Sequence, residues 1–516
     1  FRVSHKSDPS GGGCQIHERG EGVRVLMVSP EAVPFAKTGG LADVAGALPK
    51  ALKRMGVDVG LVLPKYREID EKKLKLRDTG ITIKVPISDR VKKATVLVGE
   101  TSGNIPVYFI KKDGYYDRDG LYGTEDGDYQ DNAERFIFFS RAVIELSKAL
   151  EFRFDIIHCN EWQTALIPVY LKTLYKDDPL FSETATVFTV HNLGYQGLFW
   201  HFDMHLTGLD WELFTPEEIE FYGKINLMKG GLIYSDLLTT VSKTYSKEIQ
   251  SEELGHGLEG VLARRKNDLY GIVNGIDYEE WDPAKDGHIA ATYGPKELKG
   301  KALCKSELQR LYSLPAKKDV PVIAMISRLA GQKGFDLIEE AVDSLMSMDL
   351  QLVFLGTGDR RYQKLLEDIG KRYPEKVGVK IAYDTVLAHK IEAGADIFLM
   401  PSRYEPCGLN QLYSLKYGTI PVVRATGGLD DTIKSFNPKT GNGNGFKFRD
   451  YSADALLRAV KKAISLYRDK KSWKKVVQNA MECDFSWEHS AKEYLKVYQK
   501  AINKVKSRGG RPFART

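Results

Sequence analysis

One rhythm constrains the fold of this chain more than any other feature, and it runs through the sequence twice. A short apolar run is followed by a polar or glycine-rich turn, then by a stretch with helical spacing. Unbroken apolar runs are how strands buried on both faces read, and strands alternating with helices build a parallel sheet covered on both sides. The first series has runs at residues 23–28, 57–63, 154–158, 185–190 and 237–241, while 70–112 alternate loosely, as strands with a hairpin or two. The rhythm restarts near 269, with runs at 320–326, 351–355, 379–383, 396–400 and 420–423. Helices are expected at 132–150, from about 454, from about 472 and at 487–504. At 516 residues the chain is long for one core. We therefore expect an α/β protein of two domains, 23–268 and 269–487. Polar and glycine residues fall after the strands, where parallel sheets bind ligands. Two such sheets facing each other would enclose a cleft.

The most informative turn is Lys37-Thr38-Gly39-Gly40-Leu41. Leu41, Val44, Ala45, Leu48, Leu52 and Met55 then follow helical spacing, and Gly56 can close the helix. Pro49 lies inside this pattern and should kink the helix or break it in two. Gly39 and Gly40 let backbone N–H groups approach a ligand, the helix start favours an anion, and Lys37 adds a full charge. That suits a phosphate or sugar-phosphate; a tight turn with an incidental lysine fits the loop alone equally well. The dinucleotide fingerprint G-x-G-x-x-G is absent here.

Composition excludes several classes. The net charge of +6 is small and its cations are scattered, so no basic face or nucleic-acid module is expected. No apolar run reaches the ~18 residues of a membrane span. The five cysteines (Cys14, Cys159, Cys304, Cys407, Cys483) form no C-x-x-C pair, which argues against a zinc site or a disulfide framework and for a reducing compartment. Residues 1–22 and 506–516 are expected to be a disordered leader and tail.

Further candidates follow other strands. Arg328 and Lys333 lie in Ser327-Arg328-Leu329-Ala330-Gly331-Gln332-Lys333-Gly334, and fixed cations there would stabilise charge developing on a departing diphosphate. Glu405 precedes Pro406-Cys407-Gly408-Leu409, where a carboxylate can bind sugar hydroxyls or simply favour a helix start. Gly408, Gly427 and Gly428 can present N–H groups to phosphate. His191 ends a strand and is either a substrate contact or a structural histidine. His158 and Cys159 are too few for a metal site. Residues 115–132 form a long polar loop of the kind that often serves function, and 441–445 a flexible turn.

Six segments together resemble bacterial glycogen synthases and plant starch synthases over residues 23–505. They are Lys37-Thr38-Gly39-Gly40-Leu41, Val190-His191-Asn192, Gly271-Ile272-Val273-Asn274-Gly275, Ser327-Arg328-Leu329, Glu405-Pro406-Cys407-Gly408-Leu409 and Thr426-Gly427-Gly428-Leu429. The resemblance implies the GT-B fold, two Rossmann-like domains around a deep cleft, with the helix at 488–505 returning to the first domain. It implies transfer of glucose from ADP-glucose to the non-reducing end of an α-1,4-glucan, with retention and with neither metal nor cofactor. By resemblance Lys37, Arg328 and Lys333 bind the diphosphate, helped by Gly39, Gly40, Thr426, Gly427 and Gly428. His191 and Glu405 flank the transferred glucose, and Tyr383 stacks on the base. Asn274, Cys407, Gly408 and Leu409 match donor-site positions, Cys407 not as a nucleophile. Glu31, Asp43, Glu161 and Asn192 match sugar or acceptor positions. A bacterial-type enzyme would be cytoplasmic and a plant or algal one plastidial. Glu161 stands where the family usually has Asp, which bears on acceptor preference or rate; Asn410 stands for a frequent Thr, with little effect expected.

Two other classes remain to be separated. A non-catalytic glucan-binding or scaffold protein would keep the fold without the transfer. A glycoside hydrolase would need two carboxylates flanking the bond, and Glu405 and Glu161 are the ones to nominate.

Overall fold

The computed structural model describes residues 22–508. The expected leader before Gly22, Cys14 and the tail beyond Arg508 lie outside the described residues. The chain divides into two compact units. Unit 1 takes in 22–240, Ser246–Ile272 and 490–508; unit 2 takes in Val241–Tyr245 and Val273–His489.

Unit 1 is built on a nine-stranded sheet. Its strands are β1 (Arg24–Val28), β2 (Asp58–Pro64), β3 (Arg77–Ile87), β4 (Arg90–Glu100), β5 (Pro106–Lys111), β6 (Ile156–Asn160), β7 (Ala185–Val190), β8 (Leu237–Thr240) and β9 (Leu269–Gly271). They lie in the order β9-β8-β7-β6-β1-β2-β5-β4-β3. All pairings from β9 to β5 are parallel; β4 joins β5 and β3 antiparallel, the loosely alternating stretch of the sequence. Val25, Leu26, Met27 and Val28 have no exposed surface, as expected of a central strand covered on both faces. β1 lies between β2 and β6, so the chain reverses its direction of growth there, and the loops after β1 and β6 open the switch-point crevice.

The first helix, α1 (Gly40–Arg54), runs unbroken through Pro49, against expectation. Its apolar face, Leu41, Val44, Ala45, Leu48 and Leu52, is buried on both sides of the proline and holds one axis. Gly56 ends it with φ +84°, and Gly56 and Val57 donate N–H bonds to the Lys53 and Leu52 carbonyls, a Schellman closure. The segment 115–132 is less of a free loop than its composition implies. Arg135, fully buried on α2 (Asn132–Ala149), donates to the Tyr115 and Leu121 carbonyls at 2.8 and 2.9 Å and to Asn132 Oδ1 at 2.6 Å.

Unit 2 carries a six-stranded parallel sheet: β10 (Val322–Ile326), β11 (Gln351–Gly356), β12 (Val377–Ile381), β13 (Ile397–Met400), β14 (Ile420–Arg424) and β15 (Phe446–Phe448). The order β12-β11-β10-β13-β14-β15 is Rossmann-like, with the switch point between β10 and β13. Helix α3 (Phe335–Met346) follows β10, α4 (Asn410–Lys416) follows β13 and α5 (Gly427–Thr432) follows β14. Residues 441–445 are not a loose turn. Asn444 is buried, accepts from Lys434 N at 2.7 Å and donates to the Thr432 carbonyl at 3.0 Å.

The last helix, α6 (Trp487–Arg508), extends past the expected start of the tail at 506. Its unit 1 portion is tied down by Tyr498, which meets His158 Nδ1 at 2.8 Å, and by Lys504, which donates to Asp268 at 2.6 Å. No helix among the described residues is long and apolar enough to cross a membrane.

Candidate active site

In unit 1 the candidate residues cluster at the switch point. The glycine loop after β1 is clamped from below by Glu31. Its carboxylate accepts from Thr38 N at 2.5 Å, Thr38 Oγ1 at 2.7 Å, Gly39 N at 3.2 Å and the Tyr122 hydroxyl at 2.9 Å. Glu31 therefore shapes the loop. Tyr122 comes from the segment that Arg135 fixes, so the long loop supports the glycine loop. Lys37 is exposed and its Nζ lies 2.7 Å from Asp43 Oδ1, in the first turn of α1. Burial raises the Asp43 carboxyl and the Lys37 charge draws it back. Gly39 has extended backbone, φ −155°, and a Cβ there would meet nothing within 4 Å. The fold itself does not require a glycine at 39: its N–H is given to Glu31, and the space where a Cβ would stand is open.

Glu161 follows β6 with φ +63°, a region costly for a side-chain-bearing residue. It is buried, and its Oε1 accepts from His191 N at 2.5 Å and Asn192 N at 2.9 Å, fixing the backbone at the end of β7. Burial pushes its carboxyl up to about 8, against those N–H donors. Asn192 Oδ1 accepts from Gly194 N at 3.0 Å, closing a turn. Burial lowers the His191 imidazole to about 3, so the ring is neutral. Its Nε2 lies 3.0 Å from Asn160 Oδ1, and the Asn160 amide nitrogen donates to the Val28 carbonyl at 3.1 Å. With that nitrogen committed, Oδ1 accepts, so the proton sits on Nε2 and Nδ1 carries a lone pair for a hydroxyl donor. His158, in contrast, is satisfied inside the fold by Tyr498 and by Thr189 Oγ1 at 2.6 Å.

In unit 2 the loops after β10 and β13 bring opposite charges together. Lys333 Nζ lies 2.9 and 2.6 Å from the two carboxylate oxygens of Glu405, and Ser402 Oγ adds a bond at 2.9 Å. The two side chains are 19% and 8% exposed. The loops are also laced by backbone: Arg403 N donates to the Gln332 carbonyl at 2.8 Å and Gln332 Nε2 to the Tyr404 carbonyl at 3.0 Å. Arg328 is exposed at the start of the first loop. Gly408, with φ +71°, and Leu409 lead into α4, whose Asn410 Nδ2 donates to the Ile326 carbonyl at 2.6 Å. Cys407 is buried and its thiol is pushed up to about 12, so it is protonated at neutral pH and a poor nucleophile. Asn274 is buried nearby with Oδ1 unpartnered. Thr426 is buried before α5. Tyr383 follows β12 and is 78% exposed.

Gly428 does not present a free N–H. It donates to the Glu405 and Pro406 carbonyls, both at 3.1 Å. A Cβ on Gly427 or Gly428 would strike the Glu405 or Cys407 carbonyl. These glycines are required by the close approach of the Glu405-Pro406-Cys407 strand of chain. Three site residues escaped the sequence reading: Asn160, Ser402 and Tyr122. Each acts on a candidate brought close by folding, and no spacing in the sequence marks it. Among the described residues no group of three or more His, Cys, Asp or Glu is placed to hold a metal ion.

Comparison with known proteins gives the same picture from outside. Residues 24–264 match the family model described as starch synthase catalytic domain, and 312–481 that of glycosyl transferases group 1. The glycogen synthase of Koribacter versatilis (strain Ellin345) is 51% identical over 480 residues, 93% of this chain and 98% of that protein. The glycogen synthase of Thermotoga maritima is 48% identical over 489 residues, 94% of this chain and 100% of that one. Among solved structures, the catalytic domain of starch synthase IV from Arabidopsis thaliana, bound to ADP and acarbose, aligns with a TM-score of 0.86 and 34% identity. It covers 94% of this chain and 100% of that one. A sucrose-phosphate synthase from Thermosynechococcus elongatus, at 16% identity and a TM-score of 0.58 over 93% of this chain and 99% of that one, shares the GT-B fold.

Proposed function

The chain belongs to the glycogen and starch synthase family of glycosyltransferases and transfers glucosyl groups; from that premise we propose that its donor is ADP-glucose and its acceptor the non-reducing end of an α-1,4-glucan. The observation that carries this reading furthest is the Lys333–Glu405 pair at the unit 2 switch point. It sets a cation and a carboxylate side by side where a nucleotide sugar would place its diphosphate and its glucose. Lys333 and Arg328 take the diphosphate, Lys333 sharing its charge between phosphate and Glu405. Their fixed charges stabilise the departing phosphate oxygen, and in this reading no metal is needed. Tyr383 offers an exposed ring on which the base stacks. The nucleotide in the Arabidopsis neighbour is ADP, and its acarbose supports a glucan acceptor here.

Unit 1 carries candidate sugar and phosphate contacts of its own. The open space over Gly39 leaves its loop accessible to an oxyanion, with Lys37 beside it. The Nδ1 lone pair of His191 accepts a hydrogen bond from a sugar hydroxyl. Glu161 positions His191 and Asn192 through their backbone, so Glu161 governs the sugar site indirectly. A hydrolase is disfavoured by the same geometry: Glu405 is engaged by Lys333 and Ser402, and Glu161 is turned onto the backbone N–H groups of His191 and Asn192, so each carboxyl is committed to holding the fold. The bacterial glycogen synthases among the relatives support a cytoplasmic enzyme. The test is transfer of labelled glucose from ADP-glucose, and separately UDP-glucose, to maltotriose in the presence of EDTA. Chain extension with ADP-glucose is expected. Extension with UDP-glucose alone would overturn the donor, and loss of activity in EDTA would overturn the metal-free reading.

A further inference from the structure

Residues Val241–Tyr245 are an excursion of the chain: it leaves unit 1 after β8, gives these residues to unit 2 and rejoins unit 1 at Ser246. Ser242 has no exposed surface and caps the short helix Lys243–Glu248, its Oγ accepting from Tyr245 N at 3.1 Å. Capping alone uses only that lone pair. Here the same hydroxyl also donates to the Pro406 carbonyl at 2.6 Å. Two residues on, Thr244 grips Asp431, its N donating to Oδ2 at 3.0 Å and its Oγ1 to Oδ1 at 2.7 Å. Asp431 lies in α5, three residues after Gly428. Gly428 N in turn donates to the Glu405 and Pro406 carbonyls, both at 3.1 Å. The excursion thus holds the chain at Pro406 directly and, through Asp431, the helix that braces it.

We propose that Ser242 is a positioning residue for glucosyl transfer, acting through the Pro406 peptide to hold the Glu405 carboxylate in place against Lys333. The inference rests on the role given to Glu405 above. Three features direct the effect to Glu405. The Pro406 carbonyl accepts from Ser242 Oγ and Gly428 N, so both of its lone pairs are used and losing Ser242 removes half of its hold. The proline ring fixes φ at 406 and restricts the residue before it, so Glu405 and Pro406 move together. Beyond Pro406 the chain is tied separately: Gln411 Nε2, on α4, donates to the Cys407 and Gly408 carbonyls at 2.9 and 3.0 Å. Slack released at Pro406 therefore falls on the Glu405 side. The carboxylate there has little room for it, with Lys333 Nζ at 2.9 and 2.6 Å and Ser402 Oγ at 2.9 Å. Misplacing a reacting or charge-stabilising group by about 1 Å costs about a hundredfold in rate, so a shift of a fraction of that costs about tenfold.

A cap with no further role would lower Tm and leave the rate of the folded protein alone. The experiment therefore places Ser242→Ala and Ser242→Gly in the parent and in a Glu405→Gln background, and uses whichever of ADP-glucose and UDP-glucose the parent accepts. Glycine at an N-cap costs little, so Ser242→Gly keeps the helix start while losing the bond to Pro406. Initial rates give kcat and KM, calorimetric titration with the donor's nucleoside diphosphate gives its affinity, and melting gives Tm. We expect both single variants to lose about tenfold in kcat, with the donor KM and the diphosphate affinity within about twofold of the parent's. In the Glu405→Gln background the same substitutions should cost less than about twofold, because the carboxylate they displace is gone. Parental kcat in Ser242→Gly would overturn the proposal. So would an equal fold loss in both backgrounds, which would make the hydroxyl a structural contact independent of Glu405. A Glu405→Gln protein as fast as the parent would instead refute the role given to Glu405, and with it the premise of the proposal.

Discussion

Removing Lys333 should cost unit 2 far more than removing Lys37 costs unit 1, although the family resemblance gives both lysines a phosphate-binding role. Lys333 Nζ lies within 2.9 Å of both Glu405 oxygens, in a pair whose side chains are 19% and 8% exposed. Lys333→Ala leaves the carboxylate with one side-chain donor, Ser402 Oγ, and little water. Breaking a buried pair from one side costs about 3–5 kcal/mol. Because Lys333 keeps some solvent contact, we expect the lower end, about 3 kcal/mol. For a unit of this size that lowers Tm by about 6–12 °C. Lys37 pairs with Asp43 at side-chain exposures of 38% and 26%, so Lys37→Ala should cost about 1 kcal/mol or less. Both variants should lose at least about a hundredfold in kcat, as when one electrostatic stabiliser of a developing charge is removed. Scanning calorimetry gives the two stabilities, and initial rates the activities. Adding Glu405→Gln to Lys333→Ala should restore most of the lost Tm and none of the activity. A Lys333→Ala protein melting within about 2 °C of the parent would refute the reasoning, because the ion pair would then carry no structural weight.

Two further outcomes follow from the unit 1 loops and one from unit 2. Gly39→Ala should fold and melt like the parent, since its φ is ordinary and its Cβ has open space, yet transfer should fall at least tenfold; unchanged transfer would remove the loop from the site. Glu161 titrates near 8 in the fold and near 4.5 when free, so between those values the folded chain holds a proton that the unfolded chain has released. Its contribution to stability is complete below about pH 4.5 and is lost as pH rises to about 8. Glu161→Gln should therefore gain Tm relative to the parent on going from pH 5 to pH 8.5, and parallel pH profiles would contradict this. Gly428→Ala should destabilise unit 2 by several kcal/mol, through its clash with the Cys407 carbonyl; a Tm equal to the parent's would count against that packing.

Much of this was legible in the sequence because parallel strands covered on both faces leave unbroken apolar runs. The run at 185–190 became β7 residue for residue. Other strands shifted by one or two positions, since periodicity marks burial and not the ends of hydrogen-bonded ladders. β15 went unread: three residues, Phe446-Lys447-Phe448, are too short for any period to register. Pro49 misled because local propensity was overruled by the buried face of α1. The role of Gly428 was misjudged for another reason. Its N–H and missing side chain answer to Glu405 and Cys407, some twenty residues earlier, and only the fold brings them together. Arg135, Asn160 and Ser402 are silent in the sequence for the same reason: what each holds is set by tertiary contact. The six motifs spoke clearly because they fall after sheet strands, where backbone geometry and ligand chemistry coincide.

The central claim is tested most directly by incubating the protein with labelled ADP-glucose and maltotriose and separating the products by length. Maltotriose extended by one and more glucose units, sensitive to α-1,4-specific amylase, is the predicted result. Folded protein that releases free glucose or leaves maltotriose unchanged would contradict it.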